Sequence, residues 1–225
     1  MGGIKVGGNV RMLPIAQGNT TVADLERDWM NRTGSVFSRG DREYAVVYDP
    51  NSGEIPVVYE GDRHSVNVRP SDTERAGATL THFHPDRRFG GTLSTQDLRM
   101  FTNSQLAEIR AVTSSGQVFG VRAGANANRQ GLSNWLRSRN NVLQRNFRQS
   151  YTAAIRRALE GRTVRHVSPT GKISWTLRRD SNGNVVRMNR EQALAYARQV
   201  STGAYDRAYR NALERFGFTY YKRKL

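Results

Sequence analysis

Alternating apolar and polar positions divide the chain into a β-rich first part and a mainly helical second part. Short runs of β-branched and aromatic residues, bounded by turn-forming residues, predict strands in the first part. These runs are residues 43–49, 54–60, 66–68, 78–83, 109–113 and 117–122. A Pro-Asn-Ser-Gly segment at 50–53 predicts one hairpin, and a Ser-Ser-Gly-Gln segment at 114–117 predicts another.

Two helices are predicted among these strands. In the segment 21–30, Leu25 and Trp29 lie at i, i+4 on one face, and Thr20 or Thr21 is in position to cap its N-terminus. In the segment 94–103, Leu98 and Phe101 are expected to point inward. Residues 1–20 are Gly-rich and polar, and we expect them to form an extended arm.

Helical periodicity dominates after residue 126. An apolar stripe predicts one helix from about 128 to 161, formed by Leu136, Leu143, Phe147, Tyr151, Ala154 and Ala158. Residues 172–177 and 184–188 predict a hairpin around an Asn-Gly turn. A last helix is predicted from about 190, bent or split at 201–203, with its inner face formed by Leu194, Ala197, Ala208, Leu213 and Phe216.

These elements predict an α+β fold, close to α/β, with a mixed β-sheet followed by a basic, mainly helical region that contains a β-hairpin. Three segments are expected: an arm with a short helix at 1–40, a β-rich domain at 41–125, and a basic region at 126–225. Charge supports the last boundary. Residues 1–125 carry 14 basic and 14 acidic side chains, whereas residues 126–225 carry 21 and 5.

The composition excludes several classes of site and of protein. The chain has no cysteine, so disulfides, thiolate zinc sites and cysteine nucleophiles are excluded. No apolar run approaches the roughly 18 residues that a membrane-spanning helix needs, and the first residues lack the apolar core of a signal peptide. We expect a soluble protein that is not exported by the usual secretory route.

The excess of positive charge predicts a polyanionic partner, such as DNA or another nucleic acid, bound without sequence specificity. Eighteen of the 21 basic residues after position 125 are arginine, which suits phosphate contact. The alternative is a solvated charged face, but such a face normally mixes both signs. The candidate contacts are Arg137, Arg139, Arg145, Arg148, Arg156, Arg157, Lys222, Arg223 and Lys224.

The strongest candidate for chemistry is the segment from His82 to Asp97. Residues i and i+2 of a strand point to the same side, so His82 and His84 can present both imidazoles to one point. Asp97, at the start of the next predicted helix, can complete a three-ligand metal site that leaves a fourth position for water. The same residues also fit a hydrogen-bonded histidine pair, and Ser94 with Asp97 also fits a capping box.

The order of strand, His82-x-His84-Pro, loop, Ser94-x-x-Asp97 and helix resembles the JAB/JAMM zinc metalloprotease superfamily. This superfamily includes RadC-type proteins and JAB-like domains of phage head-associated proteins. The resemblance covers roughly residues 40–122. It implies zinc held by His82, His84 and Asp97, with Ser94 assisting the oxyanion, and Glu43 matches the upstream general acid/base.

Two functions follow from this resemblance. The first is a zinc-dependent peptidase or isopeptidase of phage origin, held on nucleic acid by its basic region. The alternative is a structural protein of the phage head or of DNA ejection, which contacts capsid or portal proteins and binds DNA non-specifically. In that alternative the JAB-like domain is a catalytically silent scaffold.

Overall fold

A computed structural model describes residues 3–13, 21–38, 40–49, 51–52, 56–85 and 92–225. Within these ranges the chain forms five helices and eleven strands. The helices are α1 Val22–Asn31, α2 Pro70–Thr73, α3 Thr95–Thr102, α4 Arg129–Leu159 and α5 Arg190–Arg215. The strands are β1 Gly3–Val6, β2 Arg11–Leu13, β3 Tyr44–Tyr48, β4 Val57–Glu60, β5 Ser65–Val68, β6 Thr79–His84, β7 Glu108–Thr113, β8 Gln117–Ala123, β9 Arg162–Val167, β10 Ile173–Leu177 and β11 Phe218–Lys224.

Seven strands form one mixed sheet in the order β11-β8-β7-β6-β3-β4-β2. Only the β6–β7 pair of this sheet is parallel among the described strands, and the other pairs are antiparallel. The prediction of an α+β fold with a mixed sheet is confirmed. Both predicted hairpins of the first part form, as β3–β4 and β7–β8. Pro50, Gly53, Glu54 and Ile55 of the first predicted hairpin lie outside the described residues.

One face of the sheet packs against α1 through an aromatic cluster. Trp29 of α1 contacts Phe37, Tyr44 and Phe83, with ring centroids 5.6, 5.7 and 5.3 Å away. Leu25 is buried in the same cluster, as the predicted helical face requires. Phe83 therefore points away from the side on which its neighbours His82 and His84 lie, because side chains alternate along a strand.

Helix α3 starts at a capping box. The Ser94 side chain accepts a hydrogen bond from the Asp97 N–H, and the Asp97 side chain accepts one from the Ser94 N–H. These reciprocal bonds satisfy two backbone N–H groups at the helix start, which fixes the first turn. Leu98 and Phe101 are buried, so both the predicted helix and its inner face are confirmed.

The first residues are not a free arm. Gly3–Val6 pairs in parallel with β5, and Arg11–Leu13 pairs with β4 at the edge of the large sheet. These two stretches are extended as expected, but they pair with strands of the protein. Sequence reasoning missed this because the partners lie about 50 residues away along the chain. Residues 1–2 and 14–20 of the predicted arm lie outside the described residues.

The chain forms two compact units: Met1–Asn140 with Tyr209–Leu225, and Asn141–Ala208. The boundaries fall inside α4 and α5. Strand β11 belongs to the first unit as an edge strand beside β8, and it contains the basic tail. The predicted basic region 126–225 is therefore divided between the two units.

The second unit corrects one prediction. Strand β10 pairs with β9, not with residues 184–188, and the connecting turn is Ser-Pro-Thr-Gly at 168–171. The Asn-Gly turn forms as well, but the strands around it are reduced to one bridge between Arg179 and Val185. The Asn-Gly signal correctly marks a turn, yet a turn signal alone does not fix which strands pair.

Helix α5 runs without interruption from Arg190 to Arg215, so the helix is not split at 201–203, and a bend there stays a prediction. Ser201 is buried and its hydroxyl donates to the Ala197 carbonyl, which lets a polar residue stay inside the helix. None of the helices in the described ranges combines the length and apolar character that crossing a membrane requires.

Candidate metal centre

The candidate site lies at one end of β6, between β7 and β3. His82 pairs with Ala45 of β3, and the same register places Tyr44 opposite Phe83. Glu43, one residue before β3, therefore lies beside His84 at the end of the strand. Because directly paired residues share a face, the Glu43 side chain extends toward the two imidazoles.

The three side chains form a compact group. The His82 Nε2 atom lies 3.9 Å from one Glu43 carboxylate oxygen, and the His84 Nδ1 atom lies 3.7 Å from the other. The imidazole centroids are 4.1 Å apart. One ligand atom from each residue lies within 4.8 Å of the others, so this group can hold a metal ion.

Burial and hydrogen bonding set His82 apart from an ordinary core histidine. Its side chain is 0% exposed, and neither ring nitrogen has a hydrogen-bond partner among the described residues. The Glu43 Oε2 atom also lacks one within the same ranges. Buried polar atoms are nearly always paired, so the unpaired His82 Nε2 and Glu43 Oε2 atoms, which lie 3.9 Å apart, fit a ligand between them. Among the residues that the structure describes, His82 does not form the hydrogen-bonded pair given as an alternative.

Burial also sets the ionisation of the group. It lowers the pKa of His82 to about 3, so the imidazole is neutral, which is the form that binds a metal. Burial, together with the negative charge of Asp97, raises the pKa of Glu43 to about 8. A carboxyl with that pKa can exchange a proton near neutral pH.

Asp97 lies next to this group but is not part of its closest cluster. Its two oxygens accept hydrogen bonds from the Ile4 N–H at 2.9 Å and the Ser94 N–H at 2.7 Å. Burial raises the pKa of Asp97, and the neighbouring His84 opposes that shift. Each carboxylate oxygen has two lone pairs, so these bonds orient Asp97 and leave it able to bind a cation.

The sequence did not indicate that β1 takes part in this arrangement. A Cβ added to Gly3 would lie 2.7 Å from both Asp97 Oδ1 and Ser94 Oγ. The chain can pass this close only at a glycine. The Ile4 carbonyl also accepts a hydrogen bond from the Gln96 side chain. Strand β1 therefore packs directly on the start of α3, and the Gly-Gly-Ile sequence carries no chemistry that would have shown it.

The predicted nucleic-acid contacts are distributed over several surfaces. Arg137 and Arg139 are exposed in the first unit, and Arg145, Arg148 and Arg156 are exposed in the second. Several of the predicted contacts also have intramolecular partners. Arg156 pairs with Glu160 at 3.0 Å, Arg157 stacks on Trp175, and Lys222 lies over Phe119. Arg223 lies 4.0 Å from the buried Glu26, and Lys224 is exposed.

No protein-family model, curated protein or solved structure matches this chain. The function is therefore argued from the geometry of the site.

Proposed function

We propose that this protein is a metal-dependent amide hydrolase of the JAB/JAMM type. The observation that carries the proposal is the buried group of Glu43, His82 and His84, in which three polar atoms lack hydrogen-bond partners among the described residues. Burying these atoms without a ligand costs about 1–3 kcal/mol for each unsatisfied group. A cation bound at one His82 nitrogen removes part of that cost, since one imidazole binds a given ion through a single nitrogen.

Zinc suits the donors that this site offers. His82, His84 and Asp97 supply two imidazoles and one carboxylate, a set used by catalytic zinc sites with one open position. The hydrogen bonds from Ile4 and Ser94 to Asp97 hold its carboxylate in a fixed orientation. When bound, zinc supplies a more acidic water molecule and polarises the substrate carbonyl.

Glu43 is the proton carrier in this proposal. Its Oε2 atom has no hydrogen-bond partner in the described ranges, so it is available to the attacking water. A positive charge bound beside it lowers its pKa from about 8 toward neutral pH, where it can take a proton and later release it. The released proton goes to the leaving nitrogen of the amide.

Ser94 has a supporting role. Its hydroxyl oxygen accepts the Asp97 N–H at 3.1 Å, and the same side chain hydrogen-bonds to the Asp97 carboxylate, so Ser94 holds Asp97 in place. On rotation, the same hydroxyl would donate to the oxygen that becomes negative as the amide is attacked. His84 is 17% exposed, whereas His82 and Glu43 are almost fully buried. Substrate therefore approaches from the His84 side. The resemblance points to a peptide or isopeptide bond as the amide.

The basic residues after position 125 complete the proposal as a polyanion-binding region. Net charge of this size favours DNA or another nucleic acid, and the JAB-like resemblance favours a phage context with capsid or portal proteins as partners. The protein would then act in the cytoplasm of an infected cell or in the virion.

The second candidate is a structural protein of the phage head whose JAB-like domain is silent. One observation favours it: both Asp97 oxygens already accept backbone hydrogen bonds that join β1 to α3. In this candidate Asp97 stabilises the fold, and the chain binds DNA without cutting any bond.

Zinc content and isopeptide cleavage, measured on the same purified proteins, separate the two candidates. The wild type should contain about one zinc per chain and cleave an isopeptide-linked substrate. Glu43→Gln should keep the zinc and lose at least 100-fold in kcat, a typical general-base contribution. Asp97→Asn should lose the zinc, and His64→Ala, at an exposed histidine outside the site, should behave as wild type.

A wild type without metal after purification in chelator-free buffer would overturn the zinc proposal. Zinc with no cleavage in any variant would favour the structural protein. Loss of zinc in Glu43→Gln together with its retention in Asp97→Asn would overturn the assigned roles, because the third ligand would then be Glu43.

A further inference from the structure

Strands β9 and β10 form a two-stranded ribbon that is exposed along most of its length. We call residues 162–177 the basic ribbon. Of these residues, only Thr163, Ser168 and Trp175 are partly buried, and the rest are exposed. Six residues of β9 correspond to a ribbon about 20 Å long. An isolated pair of strands is only marginally stable in water. Core packing alone therefore does not account for a ribbon of this length.

Local contacts keep the ribbon ordered. The Ser168 N–H donates to the Lys172 carbonyl at 2.9 Å, and the Gly171 N–H donates to the Ser168 carbonyl at 2.9 Å. Trp175 lies under the Arg157 guanidinium of α4, 4.1 Å from it. The turn and the middle of the ribbon are therefore both fixed within the second unit, and the ribbon is a shaped surface rather than a loose loop.

The charge of the ribbon has one sign. It contains Arg162, Arg165 and Lys172 and no acidic residue, and Arg178 and Arg179 follow directly. Arg162 has Glu160 at 3.8 Å, but Arg165 and Lys172 form no ion pair with the described residues. A surface in which cations are not neutralised by neighbours is complementary to a phosphate backbone.

The tip of the ribbon carries three exposed apolar residues. Val167 and Ile173 are directly paired across the strands, and they are 54% and 51% exposed. Pro169 is exposed in the turn between them. Cationic flanks with an exposed valine, isoleucine and proline at the end match the way apolar side chains wedge into DNA while lysine and arginine hold the phosphates.

We propose that the basic ribbon is a DNA-binding arm that enters a groove of duplex DNA. Proteins that read DNA with a β-ribbon place its strands in the major or the minor groove, and apolar wedges between base steps are typical of minor-groove binders. Arg165 and Lys172 contact phosphates, and the tip of Val167, Pro169 and Ile173 contacts base edges and bends the duplex. This inference rests on the proposed nucleic-acid binding and names the element responsible, which differs from the helical arginines and the tail.

Fluorescence anisotropy of a 30-base-pair duplex, titrated with the full chain at several salt concentrations, tests the ribbon. Arg165→Gln with Lys172→Gln should make the slope of log Kobs against log salt shallower by about 1.8, which is 0.9 for each phosphate that the variant no longer neutralises. The matched control is Arg63→Gln with Arg99→Gln, which removes the same charge from exposed positions of the first unit and should leave the slope unchanged.

The tip is tested by energy transfer between dyes at the two ends of the duplex. Val167→Ser with Ile173→Ser should keep the salt slope and lose the DNA bending that the wild type produces. All variants should keep the wild-type melting temperature, since the altered side chains are exposed.

Other outcomes would overturn the inference. If Arg165→Gln with Lys172→Gln had the same salt slope as its control, DNA would be bound elsewhere on the protein. The ribbon inference would then fail, and the proposed nucleic-acid binding would still stand. If the wild type did not bind the duplex, both the ribbon inference and the proposed nucleic-acid binding would be overturned. Binding to poly-glutamate or to phosphatidylserine vesicles as tight as to DNA would show that the ribbon recognises negative charge without a groove.

Discussion

At the scale of single residues, His82 is the clearest mark of function. A fully buried imidazole with no hydrogen-bond partner among the described residues is destabilising for the fold by itself. Its neighbour on the other face of β6, Phe83, shows the contrast, because an aromatic side chain at that depth is stabilised by Trp29 and Phe37. The stability of the fold therefore does not account for His82, whereas a bound ligand would.

Gly3 makes a testable contribution at the same scale. Gly3→Ala would place a methyl group 2.7 Å from both Asp97 Oδ1 and Ser94 Oγ, closer than real Cβ contacts. Either β1 or the capping box must shift, so we expect a loss of about 1–3 kcal/mol in the free energy of unfolding, as for other overpacked sites. Urea denaturation measures it.

The control for this substitution is Gly203→Ala in α5. The nearest atom to an added Cβ there is the flexible end of Arg207 at 3.7 Å, and alanine favours a helix over glycine. That variant should be stabilised by up to about 1 kcal/mol. Equal stability of Gly3→Ala and the wild type would show that β1 does not press on the start of α3.

At the scale of elements, β11 is attached to the sheet by a buried charged network. Glu108 of β7 accepts hydrogen bonds from Arg110, Arg122 and Tyr221, and Arg110 also reaches Glu26 of α1 at 2.9 Å. This network joins α1, two interior strands and the C-terminal strand. It explains how a tail rich in lysine and arginine becomes part of the sheet.

Replacing Glu108 gives a pH-dependent prediction. Burial raises its pKa, but the Tyr221 hydroxyl, Arg110 and Arg122 outweigh burial, and the pKa stays below its usual 4.5. A carboxyl with a depressed pKa stabilises the folded state above about pH 4.5, and this stabilisation is lost as the pH falls through the folded-state value. Glu108→Gln should therefore cost about 3 kcal/mol at pH 7, as when one partner of a buried ion pair is removed.

Unfolding curves of the wild type and Glu108→Gln, measured from pH 7 to pH 3, check both the cost of the substitution at pH 7 and its decrease at lower pH. The difference in unfolding free energy should narrow below pH 4.5. Glu74→Gln, at an exposed glutamate, should cost little and show no such trend. A difference that stays constant with pH would mean that the charge of Glu108 is not what stabilises the fold.

The elements also show what could be predicted from the sequence. Strands β3, β6, β7 and β8 and the capped helix α3 follow from local patterns, because β-branched runs and the Ser94–Asp97 spacing act within a few residues. Pairings between strands that lie far apart in the sequence have no local signal of this kind. Strand β11 pairs with β8 about 100 residues away, and the basic alternation of Arg162–Val167 resembles a solvated segment.

The residues of the candidate site also divide into those that could be predicted from the sequence and those that could not. The spacing of His82 and His84 fixes a shared face, so their proximity was predictable from strand geometry. Glu43 came from a resemblance, and its place beside His84 depends on the β3–β6 register. Nothing local indicates that Ile4 donates to Asp97, because the two residues are 93 positions apart.

At the scale of the whole molecule, the two units carry different proposed roles. The candidate metal centre lies in the first unit and the basic ribbon in the second. A ligand that binds the folded state raises stability according to its concentration and affinity, whatever its function. Zinc and duplex DNA should therefore stabilise the protein through separate sets of residues.

Thermal unfolding with each ligand tests this separation. Zinc at 1,000 times its Kd contributes about 4 kcal/mol and should raise Tm by roughly 8–16 °C for a chain of this size. His82→Ala should abolish the zinc shift and keep the DNA shift, while Arg165→Gln with Lys172→Gln should reduce the DNA shift and keep the zinc shift. His64→Ala should leave both unchanged. If either variant lost both shifts, the metal centre and the DNA-binding surface would be one coupled site, and the assignment of one role to each unit would fail.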